Sequence, residues 1–211
     1  MNRRSFLLGA GASVVTCKSA FSAIDVSYPK RAYVTHPAII KQQCMMWCWA
    51  ASSAMIFSSL GHPIDQTAIV NRVFGGMVCQ GAMGITMAKV LSDRWMDMNG
   101  TSFQSHLTAA FDVQAGVNAI TYPTIINELA NDRPLLYANG SHAMVIVEAI
   151  FVDTPYGPSV QSIGVLDPAP SAMNFHYLSQ LEMMPAPMAG MYVAPGQPVG
   201  QMQFLAAVQI I

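Results

Sequence analysis

The segment QQCMMWCWAA, residues 42–51, leads directly into the clearest helical pattern of this chain. The run from Cys48 to Leu60 is rich in helix formers, among them Ala50, Ala51, Ala54, Met55 and Ile56, and it stops at Gly61, with Pro63 behind it. This pattern predicts one central helix that begins at Cys48. A sulfur atom in the first turn of a helix lies near unpaired N–H groups and the positive end of the helix dipole, which lower the pKa of a thiol. Cys48 is therefore a candidate nucleophile.

The amino terminus has the organisation of a cleavable export signal. Paired arginines, Arg3 and Arg4, precede an apolar run to about Thr16 and a group of small residues at 19–23. The apolar run is too short for a permanent membrane span, and Arg-Arg before Ser-Phe-Leu is typical of a twin-arginine signal. A lipidation site at Cys17 is a weaker alternative. We expect residues 1–23 to be removed and residues 24–211 to form one exported domain, periplasmic or secreted.

Cysteine usage separates one thiol from the others. Without the signal peptide the chain keeps three cysteines, Cys44, Cys48 and Cys79. An odd number in an oxidising compartment leaves one thiol free. Because Cys48 has the helix-start position that suits a nucleophile, we expect a Cys44–Cys79 disulfide. The alternative for Cys48 is a small buried thiol with only a structural role.

The first third of the domain is predicted to be helical. A polar segment, residues 24–41, precedes the central helix. Asp65 is a good N-cap for a second helix that ends at Gly75, and apolar residues at helical spacing predict a third helix from about Ile85 to Trp95.

The second half is predicted to be mostly sheet, which together with the helices indicates an α+β domain. A proline starts one short helix at 123–131, and a helical patch lies near 177–181. The predicted extended segments are 106–113, 117–120, 135–138, 142–152, 160–166 and 202–211.

Residues 42–51 resemble the active-site segment of papain-like cysteine peptidases, in particular small bacterial avirulence-effector peptidases and their exported relatives. In that family a glutamine six positions before the nucleophile donates its side-chain amide to the oxyanion. Gln42 stands at that distance from Cys48 and is favoured over Gln43, and an aromatic residue, Trp49, follows the nucleophile as in the family. The resemblance implies a helical lobe with a central catalytic helix, an antiparallel sheet lobe and an active-site cleft between them.

A thiol nucleophile needs a base, and His142 has the best context of the five histidines. It begins the apolar run 143–147 directly after the turn Asn139-Gly140-Ser141, so its ring can project from the end of a rigid strand into a cleft. The catalytic histidine of the family likewise opens a hydrophobic strand. The other histidines lack such a setting: His36, His62, His106 and His176.

Asp167 is the candidate for the third catalytic position. It follows the apolar segment 163–166 and precedes Pro168. A carboxylate there would orient the imidazole of His142 and stabilise its protonated form, and the order Cys, His, Asp matches the family. An Asp-Pro turn without a catalytic role is the alternative, and Asn174 is the second choice for this position.

The resemblance implies a peptidase that forms an acyl-enzyme and cleaves a protein or peptide substrate. Cys48 would attack the carbonyl carbon, Gln42 would stabilise the oxyanion, and His142, oriented by Asp167, would transfer protons. Two alternatives stay open: a transferase that passes the acyl group to an amine on the same triad, and a binding module that keeps the fold without turnover.

Composition excludes several other functions. The chain has 211 residues, 53% of them hydrophobic, enough for one well-buried core. Only 10% are charged and the net charge is -1, so no basic surface is available for nucleic acid. Cys44 and Cys48 lack the second ligand pair of a zinc site and the spacing of a thiol oxidoreductase. We expect a monomer without cofactor, metal, nucleic-acid partner or permanent membrane span.

Overall fold

The computed structural model describes residues 28–186 and 200–211. The predicted signal peptide, residues 1–23, lies outside the described residues. The described part contains both helices and a largely antiparallel open sheet, so the α+β prediction is confirmed.

The helices begin and end at residues that satisfy their free backbone groups. Asp65 accepts the N–H of Thr67 at the start of the second helix, and Gly75 ends that helix with a left-handed φ of 70°. Thr121 caps the fourth helix. The helices of the described residues are α1 Cys48–Ser59, α2 Gln66–Phe74, α3 Gly84–Val90, α4 Tyr122–Ala130 and α5 Gln180–Met183. None of them is long and apolar enough to cross a membrane.

Nine strands of the described residues form one sheet, and each pair of neighbouring strands is antiparallel. They are β1 Lys30–Tyr33, β2 Arg94–Met96, β3 Ser102–Asp112, β4 Val117–Asn118, β5 Leu135–Asn139, β6 Ala143–Thr154, β7 Gly157–Leu166, β8 Phe175–Tyr177 and β9 Met202–Ile210. The order across the sheet is β2-β3-β9-β5-β6-β7-β8, with β1 paired to β6 and β4 to β3. The C-terminal strand therefore lies in the middle of the sheet.

Helix α1 is the centre of the core. Every residue from 49 to 57 is buried, as expected for a helix with apolar or small residues all round. It packs against β5 and β6 on one side and against α2 and α3 on another. The hydroxyl of Ser52, one turn after Cys48, donates to the carbonyl of Ala143 at the start of β6 at 3.1 Å. The core thus fixes the start of α1 relative to the start of β6.

The prediction of a third helix that continues to Trp95 is wrong at its C-terminal end. Helix α3 ends at Val90, and Trp95 belongs to β2, where it pairs with Phe103. The indole N–H of Trp95 donates back to the carbonyl of Val90 at 3.0 Å, and Asp93 accepts the N–H of Arg94 in the intervening turn. These contacts replace the next helical turn by a hairpin.

Besides β2, two further short strands were not predicted. The polar segment 24–41 contains β1, in which only Ala32 is buried, and the predicted helical patch near 177 is strand β8 up to Tyr177, with α5 beginning at Gln180. β1 extends the sheet by pairing with residues 148–151, far along the chain, and β8 by pairing with the end of the preceding strand β7. The other predicted helices and strands are confirmed, with shifts of their ends.

Candidate active site

Cys48 is the first residue of α1, and its thiol is free. The first turn of this helix has no acidic side chain and no side-chain cap, so its N–H groups face the sulfur without a competing carboxylate. Burial alone would raise the pKa of the Cys48 thiol. Hydrogen bonds with the His142 side chain and with the backbone of Ala143 and Trp49 outweigh that effect and hold the pKa below its ordinary value. The site therefore favours the thiolate.

His142 lies between Cys48 and Asp167. Its Nε2 atom is 2.7 Å from Oδ1 of Asp167, which leaves Nδ1 available for another partner. Burial lowers the pKa of His142, but the bonds to Asp167 and Cys48 raise it to about 9. Burial likewise raises the pKa of Asp167, and the bond from His142 lowers it below its usual range. These shifts favour a thiolate at Cys48, an imidazolium at His142 and a carboxylate at Asp167.

The two strand ends are held by local hydrogen bonds. Oδ1 of Asn139 accepts the backbone N–H groups of Ser141 at 3.0 Å and His142 at 2.9 Å, which fixes the turn between β5 and β6. Oδ1 of Asp167 also accepts the N–H of Ala169 at 2.8 Å. Asn174, the second choice for the third position, contributes only its carbonyl to the N–H of Asp167, and the residue is exposed.

The segment before the nucleophile is tied to the Asp167 end of β7. The N–H of Gln42 donates to the carbonyl of Pro168 at 2.9 Å. The ammonium group of Lys41 donates to the carbonyls of Asp167 at 3.0 Å and Ala169 at 2.8 Å. Nothing in the sequence pattern indicated this role for Lys41.

A second tie comes from Gln66, the first residue of α2, which is only 2% exposed. Its Nε2 donates to the carbonyl of Lys41 at 2.9 Å, and its Oε1 accepts the N–H of Gln43 at 3.0 Å. The side-chain amide of Gln66 therefore hydrogen-bonds to the backbone on both sides of Gln42, with one donor and one acceptor, as the backbone of a neighbouring β-strand would. The sequence carried no signal for this contact.

The side chain of Gln42 is half-buried, whereas Gln43 is exposed. Nε2 of Gln42 donates one hydrogen to the carbonyl of Met45 at 2.8 Å, which leaves its second hydrogen free for another acceptor. Its Oε1 is buried and has no partner among the described residues. Gln42 is not among the residues that line the cavity beside Cys48. The structure thus places its amide behind Met45, at the edge of the site.

The predicted Cys44–Cys79 disulfide is present, with a Cα–Cα distance of 5.9 Å. The two tryptophans around Cys48 hold the residues on either side of Cys79. The indole N–H of Trp47 donates to the carbonyl of Val78 at 2.7 Å, and that of Trp49 donates to the carbonyl of Gln80 at 3.0 Å. Three links therefore fasten residues 78–80 to the start of α1.

A cavity of about 430 Å³ opens beside Cys48 and His142. One wall is the loop that follows Cys79, and the other is the turn at 138–141. Its mouth is rich in exposed methionine: Met45, Met46 and Met83 are 87%, 51% and 58% exposed. Cys48 thus lies in a cleft with flexible apolar edges.

No protein-family model matches this chain, and no curated protein matches it significantly. What the site does must therefore be inferred from its own geometry.

The remaining histidines do not form a second site of this kind. His62 lies 3.1 Å from Asp97 through Nδ1 and stacks on the buried ring of Phe103 in β3. Asp97 also accepts the N–H groups of Asn99 and Thr101, as the first residue of a tight turn does. Among residues 28–186 and 200–211 no group of three or more His, Cys, Asp or Glu side chains could hold a metal ion.

Proposed function

We propose that this protein is a papain-like cysteine peptidase that hydrolyses peptide bonds through Cys48, His142 and Asp167. The observation that carries the proposal is that the carboxylate of Asp167 is hydrogen-bonded to the imidazole of His142, which lines the same cavity as the free thiol at the start of a buried helix and lowers the pKa of that thiol. A nucleophile, a proton carrier and an orienting group in this order form the constellation used for acyl transfer.

The first half of the reaction follows from the charges. The Cys48 thiolate attacks the carbonyl carbon of the scissile bond, and the carbonyl oxygen takes up negative charge. The protonated ring of His142 then gives its proton to the amine that leaves, and the acyl group stays on the sulfur as a thioester. Asp167 stabilises the imidazolium until that transfer and keeps Nδ1 directed at the sulfur.

In the second half, neutral His142 takes a proton from water, and the hydroxide attacks the thioester carbon. The carbon–sulfur bond breaks, the acid product leaves, and the thiolate–imidazolium pair is restored. If an amine replaces water in this step, the same residues act as a transferase.

The oxyanion needs donors on the side of the thiol. The N–H of Cys48 has no partner within α1, because the first bond of this helix is from Ala51 to Trp47. We propose the second hydrogen of Gln42 Nε2 as the other donor. The buried, unpartnered Oε1 supports a small rotation of this amide when substrate binds, since rotation would also give that oxygen new partners.

We also propose that the protein works outside the cytoplasm. The Cys44–Cys79 disulfide supports this location, because such bonds persist in oxidising compartments. The signal-like residues 1–23 support it independently.

The test is active-site labelling of the protein with a broad electrophilic probe for cysteine peptidases, followed by mass spectrometry. We expect one label, on Cys48, in the wild type, much slower labelling in His142→Ala, and none in Cys48→Ala. A peptide library then separates the outcomes. Cleavage by the wild type supports the peptidase, a product mass that includes an added amine indicates a transferase, and no turnover of any peptide leaves a binding module. Labelling confined to Cys44 or Cys79 would sink the assignment.

A further inference from the structure

A second cavity, of about 160 Å³, adjoins the cavity beside Cys48. The two share lining residues on both of their walls, among them Met83 and Met87 on one side and Asn139 and Gly140 on the other. A chain that binds beside the thiol can therefore reach into the smaller cavity with one long side chain or with its end.

A buried carboxylate lies in this second cavity. Asp112, the last residue of β3, is 5% exposed and lines it together with the amide side chains of Gln114 and Gln203. None of the salt bridges among the described residues involves Asp112. A buried carboxylate without a cationic partner is costly, so its retention here calls for a function.

Only one of the two oxygens of the Asp112 carboxylate, Oδ1, accepts hydrogen bonds that stabilise the fold. Oδ1 of Asp112 accepts the N–H groups of Gln114 at 2.9 Å and Ala115 at 3.1 Å, which stabilises the turn after β3. Asparagine would stabilise such a turn equally well. Oδ2 instead lies against Gly84: a side chain there would place its Cβ only 2.5 Å from this oxygen. Glycine at position 84 thus leaves room for the second oxygen at the cavity.

We propose that Asp112 binds a cationic group of the substrate, so that the protein selects chains with an ammonium or guanidinium group beside the scissile bond. This rests on the proposed peptidase function. The walls fit the choice: Met83 and Phe204 offer apolar surface for the methylene groups, and Oδ2 of Asp112 and the amide oxygens accept hydrogen bonds from the charged head. The cation comes either from a lysine or arginine side chain or from a free amino terminus.

The test measures binding apart from turnover, in the Cys48→Ala background. The probes are alanine-rich decapeptides with one lysine, norleucine or glutamate placed at each position in turn, each with a free and with an acetylated amino terminus. We expect lysine to bind about 10- to 100-fold more tightly than norleucine at one position, the range for a charge-assisted hydrogen bond. Adding Asp112→Asn should abolish this preference and leave norleucine binding unchanged. If the amino terminus is the source, lysine and norleucine will bind equally, and acetylation will weaken the binding of both peptides by the same factor.

Asp153→Asn is the matched control, because Asp153 is an exposed aspartate near the far end of β6 from His142. It should leave the preference intact. The proposal would be overturned if lysine and norleucine bound equally at every position and acetylation of the amino terminus also made no difference, or if Asp112→Asn weakened the cationic and the uncharged peptides equally. The wild type is assayed for cleavage with the same peptides. A preference for the cation without any cleavage would contradict the peptidase and uphold the subsite, so the two proposals fail separately.

Discussion

Nε2 of His142 lies 2.7 Å from Oδ1 of Asp167, although 25 residues separate the two in the chain. The distance follows from the register of β6 and β7, in which Val145 pairs with Leu166 and so brings the start of one strand to the end of the other. The hydrogen bond to Asp167 occupies Nε2 of the His142 ring. Nδ1 is therefore the nitrogen that would exchange a proton with the thiol of Cys48 in the proposed reaction.

Replacing Asp167 by alanine should lower kcat/KM about 100-fold or more, because the ring loses both its orientation and the stabilisation of its charge. The pKa of His142 should fall from about 9 at the same time. Peptide hydrolysis and NMR titration of the imidazole measure the two effects. Asn174→Ala is the control and should stay within about twofold of the wild type, since its side chain does not contact the ring. A larger loss in Asn174→Ala than in Asp167→Ala would reverse the assignment.

The pH dependence of kcat/KM should be a bell. Its alkaline limb should lie near pH 9, where His142 loses its proton, and its acid limb should lie below the ordinary pKa of a cysteine thiol. Alkylation of Cys48 by a neutral reagent should persist well below that ordinary value in the wild type and shift to higher pH in His142→Ala. An alkylation profile unchanged by His142→Ala would show that the thiolate does not depend on the imidazolium.

The free energy of unfolding should depend on pH through the same pair, the imidazolium of His142 and the thiolate of Cys48. The pKa of His142 is raised from 6.5 in the unfolded chain to about 9 in the fold, so its contribution is fully present below pH 6.5 and is lost as the pH rises through about 9. Chemical unfolding of the wild type and of Cys48→Ala across this range checks the sign. The variant lacks the thiolate partner, so its stability should decline less over the same interval.

Removing the disulfide with the pair Cys44→Ala and Cys79→Ala should lower the free energy of unfolding by about 3–4 kcal/mol, because the bond closes a loop with a sequence separation of 35 residues. Urea unfolding measures the loss. Trp49→Phe gives a comparison with a weaker link. It keeps an aromatic ring but loses the hydrogen bond to the carbonyl of Gln80, which contributes about 1 kcal/mol to the free energy of unfolding. If the double variant were as stable as the wild type, the fold would not depend on this link.

Gln42→Ala should lower kcat about 100-fold or more if its amide stabilises the oxyanion. Gln66→Leu should lower kcat about tenfold with little change in KM, because it frees the backbone on both sides of Gln42. In the double variant the effects should be less than additive, which a purely structural role of Gln66 would not produce. Gln43→Ala removes only an exposed side chain and should match the wild type.

The local parts of the fold could be predicted from the sequence. Interactions between residues close in sequence determine helix α1 and the cap at Asp65. The same is true of the turn at Asn139-Gly140 and of the strand end at Asp167. Strand β1 could not be predicted, because only Ala32 is buried and its pairing partner Ala149 is far along the chain.

The same contrast holds for the site. Cys48, His142 and Asp167 each have a recognisable local setting, so the sequence alone predicted the group that the fold brings together. Gln66 and Asp112 have no such recognisable setting in the sequence. One is a polar residue in the first turn of an ordinary helix and the other a strand-end aspartate, and only tertiary contacts distinguish them from many similar residues. Roles that arise from long-range packing leave no local pattern.

The disulfide at Cys44 and the free thiol at Cys48 are four residues apart, and they require opposite redox conditions: the disulfide must stay oxidised and the thiol must stay reduced. Peroxide or another oxidant strong enough to convert the thiolate to a sulfenic acid removes the nucleophile. A reductant strong enough to open the neighbouring bond removes one of the three links that fasten residues 78–80, and only the two indole hydrogen bonds then hold this wall of the cleft. For the proposed peptidase we therefore expect the highest activity in mild thiols, which keep Cys48 reduced and leave the disulfide closed.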